Sequence, residues 1–448
     1  MRLTIENFKS IQKLENFELK PLNLMAGINS SGKTSLTQCI LLLKQTLTDD
    51  YSGMLNYKGE VVKAASPVDL VYGKKSTDKF HIGLELSRKD LEDSKTLKIV
   101  DEFGYDVYSL HIDVFFHINS EVTLNRLEAS LKGRDSEIVN GLSVRRISRG
   151  VYKGYYRLQD YSEKGLLNFN AKDAFKLEFR NFFPIFADKI NKGLFGSASS
   201  LILMKVFREA LVRFFDHFVY IGPLRVAPAP IMSLSSINFQ TVGIDGAYTR
   251  FVLHQLKNKK IDESHTLAAA TKEWICDRFN LADDIRVERD ATNSYRVKIV
   301  NDGLEVELYQ VGFGISQVLP IVVQGLLMER GDYFFVDSPE VHMHPSVQSA
   351  LVDFFIYLSR EKGVNVLIET HSEHIITRLR RRIAEKQIDP TDVNLCFVTL
   401  SKQGSEYQML SINDKGSFYG NLPKGFMDTQ DEDFRKIIEA RYQGDKNE

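Results

Sequence analysis

The sequence predicts an α/β fold: a parallel core sheet, an antiparallel β layer beside it, and a helical insertion in mid-chain. Three observations carry this reading. Gly27-Ile28-Asn29-Ser30-Ser31-Gly32-Lys33-Thr34 fits G-x-x-x-x-G-K-[ST] at every fixed position, with an apolar strand before it and a helix pattern behind it. Two short apolar runs, Tyr333–Asp337 and Val364–Thr370, have the composition of strands buried on both faces of a parallel sheet. From about 55 to 160 apolar and polar residues alternate, whereas 165 to 285 reads mainly with helical period.

The totals bound what the chain can be. Its 448 residues suffice for two or three domains, and 43% apolar with 26% charged residues is ordinary for a globular protein. The net charge of −1 gives no global basic field, so any nucleic-acid contact has to be a local patch. Cys39, Cys276 and Cys396 are far apart and form no C-x-x-C pair, which suits a reducing compartment and argues against structural zinc. Arg2, Glu6 and Lys9 interrupt the N-terminus, and the longest nearly apolar run, Val318–Met328, contains Gln324 and is too short to span a bilayer. A soluble, cytoplasmic protein without membrane contact is expected.

Taken in order, Leu3, Ile5 and Phe8, then Leu14, Phe17 and Leu19, alternate as a hairpin. Leu22-Asn23-Leu24-Met25-Ala26 is a short buried strand, and Ser35 to Gln45 a helix with Leu36, Ile40 and Leu43 at helical spacing. His81–Leu86, Leu110–Val114 and Val122–Asn125 are the clearest strands of the β layer. Ser143 to Arg157 interleaves Arg145, Arg146, Arg149, Lys153 and Arg157 with Tyr152, Tyr155 and Tyr156. This pattern suits either a nucleic-acid backbone with stacked bases or the open face of a sheet hairpin. Helical periodicity follows over Leu201–Val219 and Ala268–Phe279, separated by loops at Gly222-Pro223-Leu224-Arg225 and Pro228-Ala229-Pro230. Arg225 is open to two readings, a phosphate contact or a pin to an acidic neighbour. Arg296–Val300 and Leu304–Leu308 flank Asn301-Asp302-Gly303 as a hairpin. Gly312–Gln317 is a second Gly-rich turn, placed before an apolar helix, Val318–Met328. The run Arg378–Arg382 sits on a helix, as a solvated face or as a DNA or RNA contact. These shifts in pattern divide the chain into an N-terminal lobe (1–160), a helical insertion (161–294) and a C-terminal lobe (295–448).

The chemistry is that of phosphate. Backbone N–H groups of such a loop close around phosphate oxygens, and the following helix start adds partial positive charge. Asn29, Ser30, Ser31, Gly32, Lys33, Thr34 and Ser35 are therefore candidate nucleotide-binding residues. Lys33 would reach the β- and γ-phosphates, and the Thr34 hydroxyl would hold Mg²⁺. Asp337, at the end of a buried strand, would give its carboxylate to the same ion. His371, at the tip of the other, could donate a hydrogen bond to the γ-phosphate or attacking water, or serve structure alone. His342-x-His344 lacks the i, i+4 placement of a zinc-binding helix.

The order Gly27–Thr34, Gly312–Gln317, Asp337, His371 resembles Walker A, signature, Walker B and switch histidine of the ABC-type ATPase core, giving an ABC/SMC-head-like P-loop NTPase. More closely, the chain resembles bacterial AAA-family ATPases of the OLD, RecF and SMC-like group with a C-terminal domain of unknown function. The stretches that carry this are Asn7–Ser10, Asn29–Thr34, Val68–Gly73, Tyr220–Arg225, Val311–Pro320, Ser338–Pro345, Glu369–His374 and Leu422–Asp428. The resemblance implies ATP with Mg²⁺ sandwiched in a head-to-head dimer or higher oligomer. Gly314, Ser316 and Gln317 of one copy would face the other's nucleotide. Lys33, Asp337, Glu340 and His371 would be the catalytic set. Two departures stand out. Ser338 occupies the place of the usual glutamate base, leaving Glu340 as substitute, and Gln38 is a poor Q-loop candidate.

Relatives of this kind occur in antiphage systems such as Septu and PARIS, where a separate nuclease is the effector. After His371 no Asp-x-Asp follows a buried strand, as a TOPRIM metal site requires, so no nuclease activity in cis is expected. The leading expectation is an ATP-dependent sensor or scaffold that controls a partner nuclease. The alternatives are a RecF-like DNA-repair ATPase using Arg145–Arg157 or Arg378–Arg382, and a non-hydrolysing protein that uses ATP as an assembly clamp.

Overall fold

The computed structural model describes residues 1–48, 54–74, 79–91, 107–118, 121–134, 138–148, 151–158, 175–176, 178–185, 198–227, 239–289, 295–420, 422–423, 426–427 and 433–439. The chain forms two compact units: Met1–Leu19 with Gly32–Phe218 and Leu400–Glu406, and Lys20–Ser31 with Val219–Thr399 and Tyr407–Glu448. Pro228-Ala229-Pro230, Arg149 and parts of the Leu422–Asp428 stretch lie outside the described residues.

The first unit is built on an antiparallel sheet. Its strands are β1 (Arg2–Phe8), β2 (Ile11–Glu18), β4 (Lys79–Ser87), β5 (Ser109–Ile118), β6 (Val122–Lys132), β7 (Ile138–Ser148), β8 (Val151–Leu158) and β9 (Phe175–Lys176), paired in the order β2-β1-β4-β5-β6-β7-β8-β9. The expected hairpin β1–β2 is present, with Phe8 opposite Ile11. Strict alternation buries Leu3, Ile5, Ile82, Leu84, Ile112 and Val114 on one face. Phe8, Phe80, Phe116 and Phe182 form a chain of ring contacts at centroid distances of 5.7, 4.9 and 6.1 Å. Among the described residues the unit also has a two-stranded sheet, β10 (Glu178–Arg180) with β11 (Phe183–Ile185), and two helices longer than a single turn: α1 (Lys33–Thr48), with apolar residues buried nearly all round, and α2 (Ala198–Asp216). Lys44 Nζ donates to the Phe215 carbonyl (2.7 Å), tying one to the other. The helix read over Leu201–Val219 ends earlier than its periodicity suggested, because Phe218 already opens a strand.

The second unit holds most of a six-stranded sheet: β3 (Leu22–Gly27), β12 (Phe218–Ile221), β16 (Tyr333–Asp337), β17 (Asn365–Glu369), β18 (Val393–Ser401) and β19 (Gly404–Leu410), in the order β12-β16-β17-β3-β18-β19. The pairs β16–β17, β17–β3 and β3–β18 are parallel. Buried Asn23, an oddity in an apolar strand, is fully used. Its Nδ2 donates to the carbonyls of Lys20 (2.6 Å) and Val366 (3.0 Å), and its Oδ1 accepts from Asn394 Nδ2 (3.1 Å), linking three strands. A separate three-stranded sheet, β13 (Asp284–Arg289), β14 (Tyr295–Asn301) and β15 (Leu304–Glu307), contains the expected hairpin around Asp302-Gly303. Among the described residues the helices include α3 (Thr249–Gln255), α4 (Leu267–Lys272), α5 (Phe313–Leu327), α6 (Pro345–Arg360) and α7 (Glu373–Ala384), with a further helical stretch over 433–439. From α4 the chain runs on into a π-helical turn, Glu273–Arg278. Val318, Leu319, Val322 and Val323 of α5 lie in this unit's core with Phe334 and Val336 of β16. Among the described residues, no helix is long and apolar enough to cross a membrane.

Candidate nucleotide site

The phosphate loop leaves the C-terminal end of β3, the strand flanked by β17 and β18. Gly27 has φ +151°, and a Cβ there would lie 2.3 Å from the Val398 carbonyl oxygen. At Gly32 (φ +96°) a Cβ would meet Ser405 Oγ at 1.9 Å and Ser10 Oγ at 2.2 Å, so both fixed glycines of the motif are required by close approach. Ile28, Asn29 and Ser30 are exposed, Ser31 is buried, and Lys33 opens α1 with Thr34 and Ser35 behind it. Ser35 Oγ and Ser10 Oγ are 2.7 Å apart. Lys9, whose ammonium is held below its usual range by burial against the pull of Asp69, donates to Gln38 Oε1. Gln38 is thereby occupied inside the first unit.

In the second unit the register sets Asp337 opposite Glu369 and Glu369 opposite Met25, so three parallel strands end at one level. Thr370 N–H donates to the Met25 carbonyl (3.0 Å), fixing that edge. Asp337 is 6% exposed. Its Oδ1 accepts from Ser338 Oγ (2.8 Å) and its Oδ2, at 3.4 Å, from the Tyr220 hydroxyl. Burial raises its carboxyl above the usual aspartate range and nearby Glu340 adds to this, against Ser338, Tyr220 and Arg225. The Tyr220 phenol is pushed up in turn, by burial first and then by Asp337 and Glu369. A buried, under-compensated carboxylate at a strand tip suits a hard dication.

Arg225, read from sequence as touching either a phosphate or an acid, is a clamp. Only 7% exposed, it donates Nε to Gln317 Oε1 (3.2 Å), Nη1 to the carbonyls of Gly222 (3.2 Å) and Asp337 (3.4 Å), and Nη2 to that of Ser338 (3.1 Å). Burial lowers its pKa to about 10, so it stays charged at neutral pH. The sequence left Arg225 open between those two readings and gave Tyr220 no role, since Asp337 lies 117 residues from Tyr220 and Gln317 lies 92 from Arg225.

Glu340 turns towards β17. Its Oε2 accepts from Thr370 Oγ1 (2.8 Å) and its Oε1 from the His371 N–H (2.7 Å). Ser338 and His342 both hold positive φ (+47° and +60°), which lets the chain reverse between Asp337 and α6. His371 is exposed just beyond β17, while Ser372 caps α7 by accepting from Ile375 N–H (3.2 Å). His344 is the cap of α6: its Nδ1 accepts from Ser346 N–H at 3.3 Å.

Gly312–Gln317 differs from a turn before a helix. Gly312 is the N-cap, and Gly314, Ser316 and Gln317 already lie in the first turns of α5. Ser316 is 5% and Gln317 2% exposed. A Cβ at Gly312 or Gly314 would meet nothing within 4 Å among the described residues, so packing against those residues gives no reason for either glycine.

The arginine run on α7 is engaged within its own unit. Arg378 Nη2 donates to Asp353 Oδ2 (2.9 Å), and Arg382 grips Asp353 through Nε (2.6 Å) and Nη2 (2.7 Å). Arg381 and Arg382 both reach Glu385. Arg380 donates to the Gly416 carbonyl and lies 4.4 Å from the Phe418 ring centre. In the β layer Arg145 and Arg146, being adjacent on β7, face opposite sides, and Arg146 donates to Thr123 Oγ1 (2.8 Å).

A loop of this kind at the end of a central parallel strand, with a strand-end carboxylate two strands away, defines a P-loop nucleotide-binding ATPase. The chain belongs to the AAA ATPase domain family, whose sequence model matches residues 1–192 and 249–376. No curated protein matches it. Among solved structures it is similar to an SMC head bound to the C-winged helix domain of ScpA (9% identity, 92% of this chain and 97% of that chain, TM-score 0.45). It is similar too to an SMC head with an extended coiled coil bound to the C-terminal domain of ScpA, derived from Pyrococcus furiosus (10%, 92% and 96%, 0.45). A third is the SMC head domain from Thermotoga maritima (12%, 92% and 100%, 0.39).

Proposed function

We propose that the chain binds ATP with Mg²⁺ and closes head to head on a second copy, hydrolysing ATP slowly in that state. The observation that supports this best is the pair of glycines, Gly312 and Gly314, beside which a Cβ would meet none of the described residues within 4 Å. A surface that must admit another molecule's phosphates closely has that property. In this reading the loop N–H groups of Asn29 to Ser35 hold the phosphates and Lys33 neutralises the β- and γ-oxygens. Thr34 and Asp337 hold Mg²⁺, which when bound spreads charge from the transferring group. Gly314 of the second copy completes the pocket, with Ser316 and Gln317, buried in their own copy, setting the start of that helix from behind. Glu340 positions His371 through its backbone and orients water, Ser338 being unable to accept a proton usefully. The biological role is that of a sensor or scaffold in an antiphage complex, controlling a separate effector nuclease. That role rests on the motif resemblance to ATPase subunits of such systems. The engagement of Arg378–Arg382 by acids and carbonyls weighs against a direct DNA or RNA clamp through that run.

The test is ATP turnover per subunit against protein concentration, with Lys33→Ala and Glu340→Gln alongside. The rate is expected to climb with concentration, to vanish in Lys33→Ala and to fall in Glu340→Gln with nucleotide binding retained. A concentration-independent rate, or cleavage of DNA or tRNA by the purified chain with divalent metal, refutes the reading.

A further inference from the structure

A second cavity lies in the second unit among residues that the nucleotide site does not use. Its volume is about 300 Å³, the lower end of small-molecule sites. Trp274 and Arg278 line it from the π-helical turn, Tyr357 and Arg360 from α6, and Arg382 and Gln387 from α7 and the turn after it. A full π turn is rare and tends to occur where a side chain is re-aimed for a purpose. Here it brings the indole and a guanidinium to one wall, with Arg278 5.7 Å from the Trp274 ring centre.

The charges in this cavity are unevenly compensated. Arg382 is neutralised by Asp353 and Glu385, and Arg278 by Glu273. Arg360 donates through Nη1 to the Gln387 carbonyl and, among the described residues, has no carboxylate within ion-pair distance. Asp353 is itself held by Arg378 and Arg382, which leaves Glu361 as the acid at the rim. The walls thus combine the partly exposed Tyr357 ring and the small exposed part of Trp274 with the guanidinium of Arg360, two anchored guanidiniums and the Glu361 carboxylate. Flat rings are held by such surfaces, and anionic groups by guanidinium donors.

We propose that this cavity is a second ligand site, taking a small anion that carries a planar ring, of the class of a purine nucleoside monophosphate. Trp274 is the chain's single tryptophan and lines this cavity, so its fluorescence gives one signal for binding here. The experiment titrates AMP and GMP into the full chain and into Lys33→Ala, reading Trp274 fluorescence, with calorimetry on Lys33→Ala as a measurement independent of the dye-like response. Expected is saturable binding in both proteins, weakened roughly tenfold or more in Arg360→Glu. Adenosine and inorganic phosphate should each bind roughly tenfold or more weakly than AMP. No heat and no fluorescence change up to about 5 mM of either nucleotide overturns the proposal. So does a signal that disappears in Lys33→Ala, or one that Arg360→Glu leaves unchanged. Because Lys33→Ala removes the loop's phosphate grip, failure at this cavity is separable from failure of the ATPase reading.

Discussion

Replacing Arg225 by methionine isolates what its hydrogen bonds do, because methionine fills a similar volume and keeps the packing loss small. Four acceptors lose their donor: Gln317 Oε1 and the carbonyls of Gly222, Asp337 and Ser338, at 3.1 to 3.4 Å. The Gln317 side chain is too buried for water to replace the guanidinium readily. A buried acceptor left unpaired costs about 1–3 kcal/mol, and removing one partner of a buried charged contact about 3–5 kcal/mol. These bonds are long and end on carbonyl dipoles, and the fold no longer has to desolvate a cation. We therefore expect a loss of about 3 kcal/mol, at the lower end of that range. For a unit of this size that is a fall in Tm of roughly 6–12 °C, read by circular dichroism. Arg225→Lys, a point charge that reaches fewer acceptors, should recover only part of it. A methionine variant melting within about 1 °C of the parent refutes the view that Arg225 holds the signature helix to the Asp337 strand.

Two further perturbations follow from the same site. Asp337 has its carboxyl pKa raised in the fold, so the ionised form is penalised there. The penalty is absent below the unfolded pKa of about 3.9 and is fully present once pH exceeds the folded value. Asp337→Asn should therefore melt above the parent at pH 7 without ligand, with the gap closing towards pH 4. With ATP and Mg²⁺ the order should reverse, because binding stabilises only the parent; a pH-independent gap counts against this. The glycines also separate by role. Gly32→Ala should cost more than about 2 kcal/mol and abolish nucleotide binding, since Ser405 and Ser10 occupy the space. Gly314→Ala should leave monomer stability within about 0.5 kcal/mol while removing ATP-dependent dimerisation, read by light scattering. A Gly314→Ala protein that still dimerises with ATP refutes the assignment.

What could be read from the sequence was whatever depends on near neighbours. The Gly27–Thr34 loop, the apolar runs of β16 and β17, the β1–β2 hairpin and the alternation of the β layer are each encoded within about ten residues, where periodicity acts. What escaped depends on distant partners. Arg378–Arg382 reads as a free basic stripe until Asp353, on another helix, is brought against it. The first turns of α5 read as a loop because two glycines lower helix propensity, and the tertiary setting overrides it. Nothing local indicates that Glu340 would turn to Thr370 and His371, since that follows from the positive φ of Ser338 and His342. Asn23 breaks the apolar pattern of its strand for a reason visible only once Val366 and Asn394 lie beside it.

The seating of β3 has a consequence for how the protein is made. Leu22 and Leu24 find their partners at Val366 and Ile368 on one side and at Val393 and Leu395 on the other, all synthesised more than three hundred residues later. At about 5–20 residues per second a ribosome needs on the order of half a minute to supply them. Throughout that time an apolar strand and its phosphate loop wait without their neighbours, and such pairings over long separations are slow to form. A nascent or truncated chain that stops before Val393 therefore carries the whole Gly27–Thr34 motif and lacks the frame that shapes it. The frame around the loop is therefore complete only once Val393–Val398 has been made, and an interrupted chain leaves an apolar strand without its neighbours.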